Sequence, residues 1–347
     1  MKIAIVTTMQ HPCSHKTGWG AEKYIWDLIE CLNNDGHKIM LFAKEGSKCP
    51  SIGELIICLT EDEVLYKYIK KLFEVDIVHD FSTTKIIHDY CQENNIKSVA
   101  MNFNVHYLYP KIHKNIVCIS NSQKQLGLLG KSGFEGTPWE QMVGYTGQLK
   151  CDAKVIYLGI NIDHYKPKYE KQDYILYFNS WDYRKGIHIA INLAKQMGFK
   201  LIIAGEVMGH PEHQQTFKEL KPIIDLMPNI QYFTDVTNDE KIELMQNAKA
   251  LLFPSLFHQP FAVVVLESLA CGTPVITINN GSMPELIKHN ETGFICNTIT
   301  EMVNAIKNIN QIDPKKCRED VIKRFDRIFM AKQYIKIYED VINGAVW

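Results

Sequence analysis

Two adjacent cations, Arg184 and Lys185, stand in the turn Asp-Tyr-Arg-Lys-Gly at residues 182–186, between an apolar run and a helical pattern. A lysine beside a helix N-terminus combines a point charge with unpaired N–H groups, and this combination suits a diphosphate. The alternative that stays open is a basic turn that is only solvated. The pattern favours an anion site at this turn.

A second candidate anion site is the loop Gly-Trp-Gly-Ala-Glu at residues 18–22, which precedes a helical pattern. Gly18 and Gly20 lack a Cβ, so the backbone can approach a phosphate closely, and the helix N-terminus offers unpaired N–H groups. The alternative is a glycine that serves only the turn.

A third candidate is a single carboxylate, Glu267, inside the apolar run 263–270. A carboxylate in such surroundings is costly unless it meets a partner, and the ribose hydroxyls of a nucleotide would be one. The run ends at Gly272 and a strand pattern opens after Pro274, which predicts a strand, loop, helix and strand in succession.

Metal chemistry finds no support in the sequence. The chain has no Asp-x-Asp pair, the usual metal handle of the other large class of sugar-transferring enzymes, and no Cys-x-x-Cys pair. His210 and His213 lack a third ligand at matching spacing, so we expect surface histidines. We therefore predict no metal and no cofactor.

The net charge and the hydropathy of the chain argue against a nucleic-acid-binding protein and against a membrane-spanning protein. Lys plus Arg is 38 and Asp plus Glu is 39, so the net charge of −1 gives no argument for nucleic acid. The longest apolar run, 261–266, is far shorter than the roughly 18 residues of a membrane span. We expect no transmembrane segment and no signal peptide, and leave peripheral contact with a membrane open. Ten single cysteines indicate reduced thiols and a cytoplasmic location.

Apolar strand-like runs alternate with helical patterns along all 347 residues, a length that favours two domains. In the first half the strands are 2–6, 37–42, 77–79, 98–103, 116–119 and 155–158, with helices at 24–32 and 84–94. In the second half the strands are 174–178, 200–204, 230–233, 250–253 and 275–278, with helices at 187–197, 217–227, 239–247 and 263–270. Such alternation predicts two doubly wound α/β domains.

The predicted domain bounds follow from this order. Residues 1–160 form the first Rossmann-like domain, with a glycine-rich insertion at 127–150, and a polar linker begins near residue 163. Residues 161–325 form the second domain, and 326–347 form a C-terminal helix that packs back on the first.

The motifs in their order resemble retaining glycosyltransferases of family 4, the group 1 glycosyl transferases. The matching segments are 18–22, 76–79, 155–161, 185–186, 204–206, 253–276, 281–285 and 292–294, the sixth of which resembles the glutamate-x7-glutamate motif. The resemblance spans nearly the whole chain except residues 127 to about 150. It implies the GT-B fold, in which two Rossmann-like domains face each other across a cleft, and transfer of a hexose from a nucleotide diphosphate sugar.

The resemblance also implies roles for single residues. Lys185 would hold the diphosphate, Glu267 the ribose, and the first domain would be the acceptor side. The implied catalytic residues are Lys185, His106 and Gln259, and the implied donor-binding residues are Gly18, Gly20, Ser180, Arg184, Lys185, Glu206, Ala262, Val263 and Glu267.

The sequence departs from the family pattern at four places. The first glutamate of the motif is Gln259, and the glycine expected three residues later is Ala262. The position of the family's phosphate-binding arginine is Ser180, for which Arg184 is the nearest substitute. The family's active-site histidine corresponds to either Asn104 or His106.

Other functions remain open at this stage. A sugar-nucleotide epimerase or a phosphorylase would have the same fold, and a non-catalytic sugar-nucleotide-binding subunit would explain Gln259 and Ser180. The expected partners are a nucleotide diphosphate sugar and an acceptor sugar, lipid or small molecule.

Overall fold

The computed structural model describes residues 1–14, 20–49, 53–103, 111–131 and 148–347. These residues form two compact units, of which the first contains Met1–Ile160 and Phe325–Trp347 and the second contains Asn161–Arg324. Each unit is built on a parallel sheet, so the predicted doubly wound α/β class is confirmed.

The described strands of the first unit form a seven-stranded sheet in the order β3-β2-β1-β4-β5-β6-β7. The strands are β1 (Lys2–Val6), β2 (Lys38–Ala43), β3 (Gly53–Ile57), β4 (Ile77–Asp80), β5 (Ser98–Met101), β6 (Ile116–Cys118) and β7 (Lys154–Val155). Central β1 is covered on both faces, since Ile3 to Val6 are fully buried. Double burial is why this strand is a continuous apolar run without alternation.

The helices of the first unit turn an apolar face to this sheet. They are α1 (Gly20–Asn34), α2 (Glu61–Tyr68), α3 (Ile86–Glu93) and α4 (Asn121–Leu129), and after the second unit α12 (Arg327–Ile342). In α1 the fully buried residues Ile25, Leu28, Ile29 and Leu32 recur at helical spacing. Just beyond β1, the hydroxyl of Thr8 donates to Glu22 in the first turn of α1, so the carboxyl end of β1 lies close to that turn.

The chain leaves the first unit and returns to it at one place. Ile160 N donates to Phe325 O at 2.9 Å, and Arg327 N donates to Ile160 O at 3.0 Å. Arg327 on α12 then pairs with Asp27 of α1, with 2.9 Å between the guanidinium and the carboxylate. The last helix is thus part of the first unit.

The second unit has a six-stranded sheet in the order β10-β9-β8-β11-β12-β13. Its strands are β8 (Ile175–Phe178), β9 (Leu201–Gly205), β10 (Ile230–Thr234), β11 (Ala250–Phe253), β12 (Val275–Ile278) and β13 (Gly293–Cys296). Its helices are α5 (Ile187–Met197), α6 (Pro211–Ile224), α7 (Asn238–Asn247), α8 (Val263–Ala270), α9 (Met283–Leu286), α10 (Ile299–Asn308) and α11 (Pro314–Phe325).

Some elements differ from the sequence prediction. Strand β3 and helix α2 were absent from the predicted order, because β3 is a half-exposed edge strand and α2 is short. Strand β13 was predicted only as a motif. Helix α6 begins six residues before the predicted start, because Pro211 sits in its first turn, where a missing N–H costs nothing.

The polar segment predicted as a linker packs firmly on the second unit. Tyr165 is fully buried. Lys171 donates to the carbonyl oxygens of Gln246 and Cys271 at 2.9 and 3.1 Å and to the hydroxyl of Thr273 at 2.7 Å. These contacts fix the segment against the helix ends that it crosses.

All ten cysteines are free thiols, and each lies in a described segment. Among the described helices, none combines the length and the apolar character needed to cross a bilayer. The predicted insertion 127–150 lies mostly outside the described residues, but its two ends meet where Leu149 N donates to Gly127 O at 2.8 Å.

Candidate active site

The sequence-predicted residues of the second unit gather at one edge of its sheet. Loops that follow β9, β8, β11 and β12 carry them, and these four strands are neighbours in the sheet. Strand order changes direction between β8 and β11, and open parallel sheets bind ligands at the carboxyl ends of strands beside such a point. The candidate residues of the second unit therefore lie at the edge where sheets of this kind bind ligands.

The turn after β8 presents Lys185. A short 3-10 helix, Tyr183–Lys185, is capped by the Asp182 carboxylate, which accepts from Arg184 N at 2.7 Å. Gly186 follows with φ +78°, and a Cβ there would lie 2.0 Å from Pro254 O. Only glycine allows both this conformation and this approach, so the Lys185 turn is tied to the loop after β11.

The ammonium group of Lys185 is held over an aromatic ring. Its Nζ lies 4.3 Å from the centre of the Phe257 ring, and among the described residues it has no salt bridge. Burial lowers the pKa of Lys185 to about 8, against the attraction of Asp182, which raises it. A cation without a paired carboxylate at a strand end is available for an anionic ligand.

Arg184, in contrast, is paired within the protein. Its guanidinium contacts Asp182 at 2.6 Å and Glu212 at 2.9 Å. Burial favours the neutral form of Asp182, but the hydrogen bonds from Arg184 outweigh it, and the pKa of that carboxyl lies below its usual value. Two carboxylates thus already compensate the cation that the sequence offered as a substitute for the missing arginine.

The loop after β11 is bonded to the Lys185 turn. Leu256 N and Phe257 N both donate to Arg184 O, at 2.9 and 3.0 Å. These bonds fix the distance between Lys185 and the residues that lead into α8.

Gln259 lies inside this loop and is only 9% exposed, so its side chain does not face bulk solvent. Its side-chain Nε2 donates to Ser255 Oγ at 3.3 Å, and its backbone carbonyl accepts from Ser282 N at 2.9 Å. Gly281 has φ +59°, and a Cβ there would lie 2.4 Å from Gln259 O. The loop after β12 therefore holds the backbone of Gln259 in place.

Helix α8 begins directly after this loop. Ala262 is its N-cap, with extended backbone, and Val263 is its first residue. The N–H groups of a first helical turn have no partners within the helix and carry partial positive charge. Ala262 and Val263 thus stand where backbone donors could meet a phosphate.

Glu267 lies one turn further along α8 and is 4% exposed. Its Oε1 accepts from the Tyr165 hydroxyl at 2.5 Å and from Lys241 Nζ at 2.8 Å. The sequence predicts that the hydroxyls of a ligand donate hydrogen bonds to this carboxylate. In the structure two side chains of the protein already donate to it. Neither partner gave a recognisable signal in the sequence.

Ser180 and Glu206 are the remaining predicted residues at this edge of the second sheet, in the loops after β8 and β9. Ser180 N donates to the side chain of Asn179 at 3.0 Å, which shapes the start of the turn after β8. Glu206 follows β9, and its carbonyl accepts from Trp181 N at 3.3 Å. The two loops are thereby joined through their backbones.

The candidates of the first unit are only partly described. Gly20 is the exposed first residue of α1, at the carboxyl end of β1. Gly18, Asn104 and His106 lie outside the described residues. In the segments that are described, no three His, Cys, Asp or Glu side chains come together as a metal site would require.

The second unit matches a known protein family. Residues 161–324 match the family model described as glycosyl transferases group 1. The human alpha-1,3/1,6-mannosyltransferase ALG2 is 28% identical over 171 residues, which cover 42% of this chain and 40% of that protein. The chain therefore matches less than half of the length of this relative.

Solved structures match both units. A glycosyltransferase from Rickettsia africae is 19% identical with a TM-score of 0.75, and 99% of each chain is covered. The Anabaena protein Alr3699/HepE, in complex with UDP and glucose, is 17% identical with a TM-score of 0.69 over 98% of this chain and 100% of that chain. These likenesses establish the GT-B fold class.

Proposed function

We propose that the chain transfers a sugar from a nucleotide diphosphate sugar to an acceptor hydroxyl, with retention at the anomeric carbon. The premise is the match of residues 161–324 to the model of the group 1 glycosyl transferases. The single observation that carries the proposal is Lys185, a cation without a carboxylate partner among the described residues, bonded through its turn to the loop that opens α8. The Anabaena neighbour binds UDP and glucose, which supports a nucleotide sugar here.

Lys185 would act on the leaving group. As the bond between the anomeric carbon and the diphosphate breaks, negative charge grows on the diphosphate, and a fixed ammonium stabilises that charge. The departing phosphate oxygen takes the proton of the acceptor hydroxyl as that hydroxyl attacks on the same face. The protein then supplies position and electrostatics without a covalent nucleophile.

Gln259 would bind the transferred sugar. A glutamine carries an N–H2 donor and a carbonyl acceptor, so it can bind sugar hydroxyls, but it cannot act as an acid, base or nucleophile at neutral pH. Its backbone is fixed by Ser282 N at 2.9 Å. This arrangement suits a residue that selects among sugars.

The proposal is tested with a panel of nucleotide sugars in a thermal-shift assay, followed by measurement of released nucleoside diphosphate with candidate acceptors. A ligand that binds only the folded state raises the melting temperature. We expect one nucleotide class to raise it and its sugar derivative to release diphosphate. The absence of any stabilising nucleotide would refute the proposal.

A second candidate function is a sugar-nucleotide-binding subunit without catalysis. Arg184 is already compensated by Asp182 and Glu212, and a glutamine replaces the motif's first glutamate. Stabilisation by a nucleotide sugar without diphosphate release, across sugar, lipid and small-molecule acceptors, would favour this candidate.

We expect activity without a divalent metal. The donor phosphates would be neutralised by Lys185 and by helix N-termini, so no metal clamp is needed. Diphosphate release is measured after dialysis against excess EDTA and again after addition of magnesium or manganese. Rates within twofold of each other are expected, and a complete loss restored by metal would contradict the prediction.

Gln259→Glu is expected to change the relative rates among donor sugars while the affinity for the free nucleotide stays within about twofold. The substitution removes an N–H donor and adds a negative charge beside the sugar site. Rates are compared across the nucleotide sugars that the wild type accepts, and Gln246→Glu on α7 serves as the control. An unchanged ranking of donors would show that Gln259 does not contact the sugar.

We propose a reducing compartment such as the cytoplasm, supported by the ten free thiols. The near-neutral charge balance, 38 cationic against 39 anionic side chains, supports substrates other than nucleic acid.

A further inference from the structure

Two side chains from distant parts of the second unit meet at one atom, Oε1 of Glu267 on α8. The hydroxyl of Tyr165, in the segment before β8, donates to it at 2.5 Å, and the ammonium of Lys241, near the start of α7, donates to it at 2.8 Å. The side chains of Lys241 and Glu267 are 14% and 6% exposed, and Tyr165 is fully buried. These three residues are called the Glu267 cluster below.

The surroundings of the Glu267 cluster are apolar. Val265, Leu266 and Leu269 on the same helix are fully buried. When both members of a buried ion pair are replaced by apolar residues of similar volume, the stability of a protein is often unchanged or higher. An ion pair on this helix is therefore not required for the fold, and its presence favours a role in binding.

Lys241 supplies a positive charge beside the Glu267 carboxylate. A buried carboxyl without a counter-ion favours its protonated form, whereas an ammonium close by favours the carboxylate. A carboxylate only accepts hydrogen bonds, and an acid must donate one itself. Because the two adjacent hydroxyls of a ribose can both act as donors, the charge on Glu267 decides whether both hydroxyls are bound.

Tyr165 fixes the direction of the Glu267 side chain. The guanidinium of Arg318 donates to the backbone carbonyl of Tyr165 and, at 2.9 Å, to that of Ala270, the last residue of α8. The backbone of Tyr165 is thus tied to the helix that carries Glu267. A glutamate side chain loses rotamer freedom when a ligand orders it, and donors that order it beforehand reduce this cost of binding.

The position of Glu267 along α8 suits a nucleotide. Glu267 lies four residues after Val263, so the two residues are on the same face of the helix. One helical turn rises about 5.4 Å. A diphosphate at the N-terminus of α8 and a ribose at Glu267 would therefore be neighbours, as they are in a nucleoside diphosphate.

We propose that Lys241 and Tyr165 are positioning residues, which hold Glu267 charged and oriented for the ribose hydroxyls of the donor nucleotide. The inference rests on the proposed function and on the ribose role that the family resemblance implies for Glu267. The Glu267 cluster then selects a ribonucleotide against the same nucleotide without its ribose hydroxyls.

The test compares, by calorimetry on the full chain, the binding of UDP, GDP and ADP with that of their 2′,3′-dideoxy forms. Lys241→Met removes the charge and keeps the length of the side chain, Lys241→Arg keeps the charge, and Tyr165→Phe removes only the hydroxyl. The matched controls are Lys195→Met, at an exposed lysine on α5, and Tyr169→Phe, at an exposed tyrosine four residues after Tyr165.

For the nucleotide that the wild type binds most tightly, we expect the ribose form to bind at least about tenfold more tightly than the dideoxy form, because its hydroxyls donate to a charged group. In Lys241→Met this ratio should fall to within about threefold while the affinity for the dideoxy form stays within about twofold of wild type. Lys241→Arg and both controls should keep the wild-type ratio.

An unchanged ratio in Lys241→Met, or an equal loss of affinity for both forms, would overturn the inference. If Lys241→Met does not fold, Tyr165→Phe takes its place, and its ratio should fall by at least about threefold because one neutral donor is lost.

Steady-state kinetics give an independent measurement. In Lys241→Met the KM for the nucleotide sugar should rise at least about tenfold while kcat stays within about threefold, because the ribose is bound equally in the ground state and the transition state. A lower kcat with an unchanged KM would overturn the inference. Absence of nucleotide binding by the wild type would refute the proposed function and this inference together, whereas nucleotide binding with an unchanged ratio would refute this inference alone.

Discussion

Lys185→Ala is expected to lower kcat by roughly 30- to 1,000-fold, because the charge that develops on the leaving diphosphate loses its oriented counter-ion. One such interaction contributes about 2–4 kcal/mol to transition-state stabilisation. The rate of nucleoside diphosphate release at saturating donor is the measurement. Lys195→Ala, at an exposed lysine on helix α5, which follows the Lys185 turn, is the matched control and should retain full activity.

The pH dependence checks the same assignment. Burial lowers the pKa of Lys185 to about 8 in the folded protein, below the unfolded value of about 10.4. The ammonium is therefore lost as the pH rises from 7 to 9, and kcat/KM of the wild type should fall above about pH 8. The residual activity of Lys185→Ala should lack this fall. Activity within threefold of wild type in Lys185→Ala would refute the assignment.

Glu267→Ala is expected to lower the free energy of unfolding by about 3–5 kcal/mol, the usual cost when one member of a buried ion pair is removed. The ammonium of Lys241 and the hydroxyl of Tyr165 lose their common acceptor, to which they donate at 2.8 and 2.5 Å. Urea denaturation measures the change. Glu243→Ala, an exposed glutamate on α7, is the control and should change stability by less than about 0.5 kcal/mol.

Calorimetry on folded Glu267→Ala separates a structural from a binding role. The sequence predicts weaker nucleotide binding with little effect on the fold, and the structure adds the loss of stability. We expect at least tenfold weaker nucleotide affinity as well. Unaltered affinity together with the lower stability would show that Glu267 is purely structural.

The architecture followed from local patterns. Continuous apolar runs such as Ile175–Phe178 and the helical spacing in α1 and α5 were sufficient to predict two doubly wound sheets. Those runs are strong because both faces of the central strands are buried. The edge strand Gly53–Ile57 is buried on one face only and left a weaker pattern.

The sequence was less informative about which charged side chains of the site are already paired within the protein, because their partners lie far away in the sequence. Glu267 meets Tyr165 and Lys241, 102 and 26 residues away. Arg184 meets Glu212, 28 residues away. The residue types in a motif are visible in the sequence, whereas the compensation of each charge depends on tertiary contacts that no local spacing encodes.

The return of the chain at Ile160 and Phe325 has a consequence for the order of folding. The second unit is a continuous insertion whose two ends are joined by backbone hydrogen bonds in the first unit. During synthesis the second unit emerges complete before helix α12, so it can fold while the first unit still lacks its last helix. A folded insertion with adjacent ends removes its own 164 residues, Asn161–Arg324, from the loop between α1 and α12 and so shortens that loop from about 290 residues to about 130. This lowers the entropic cost of closing the loop by on the order of 0.7 kcal/mol. The folded second unit thereby brings the residues that begin α12 next to Ile160, where they bond to the first unit.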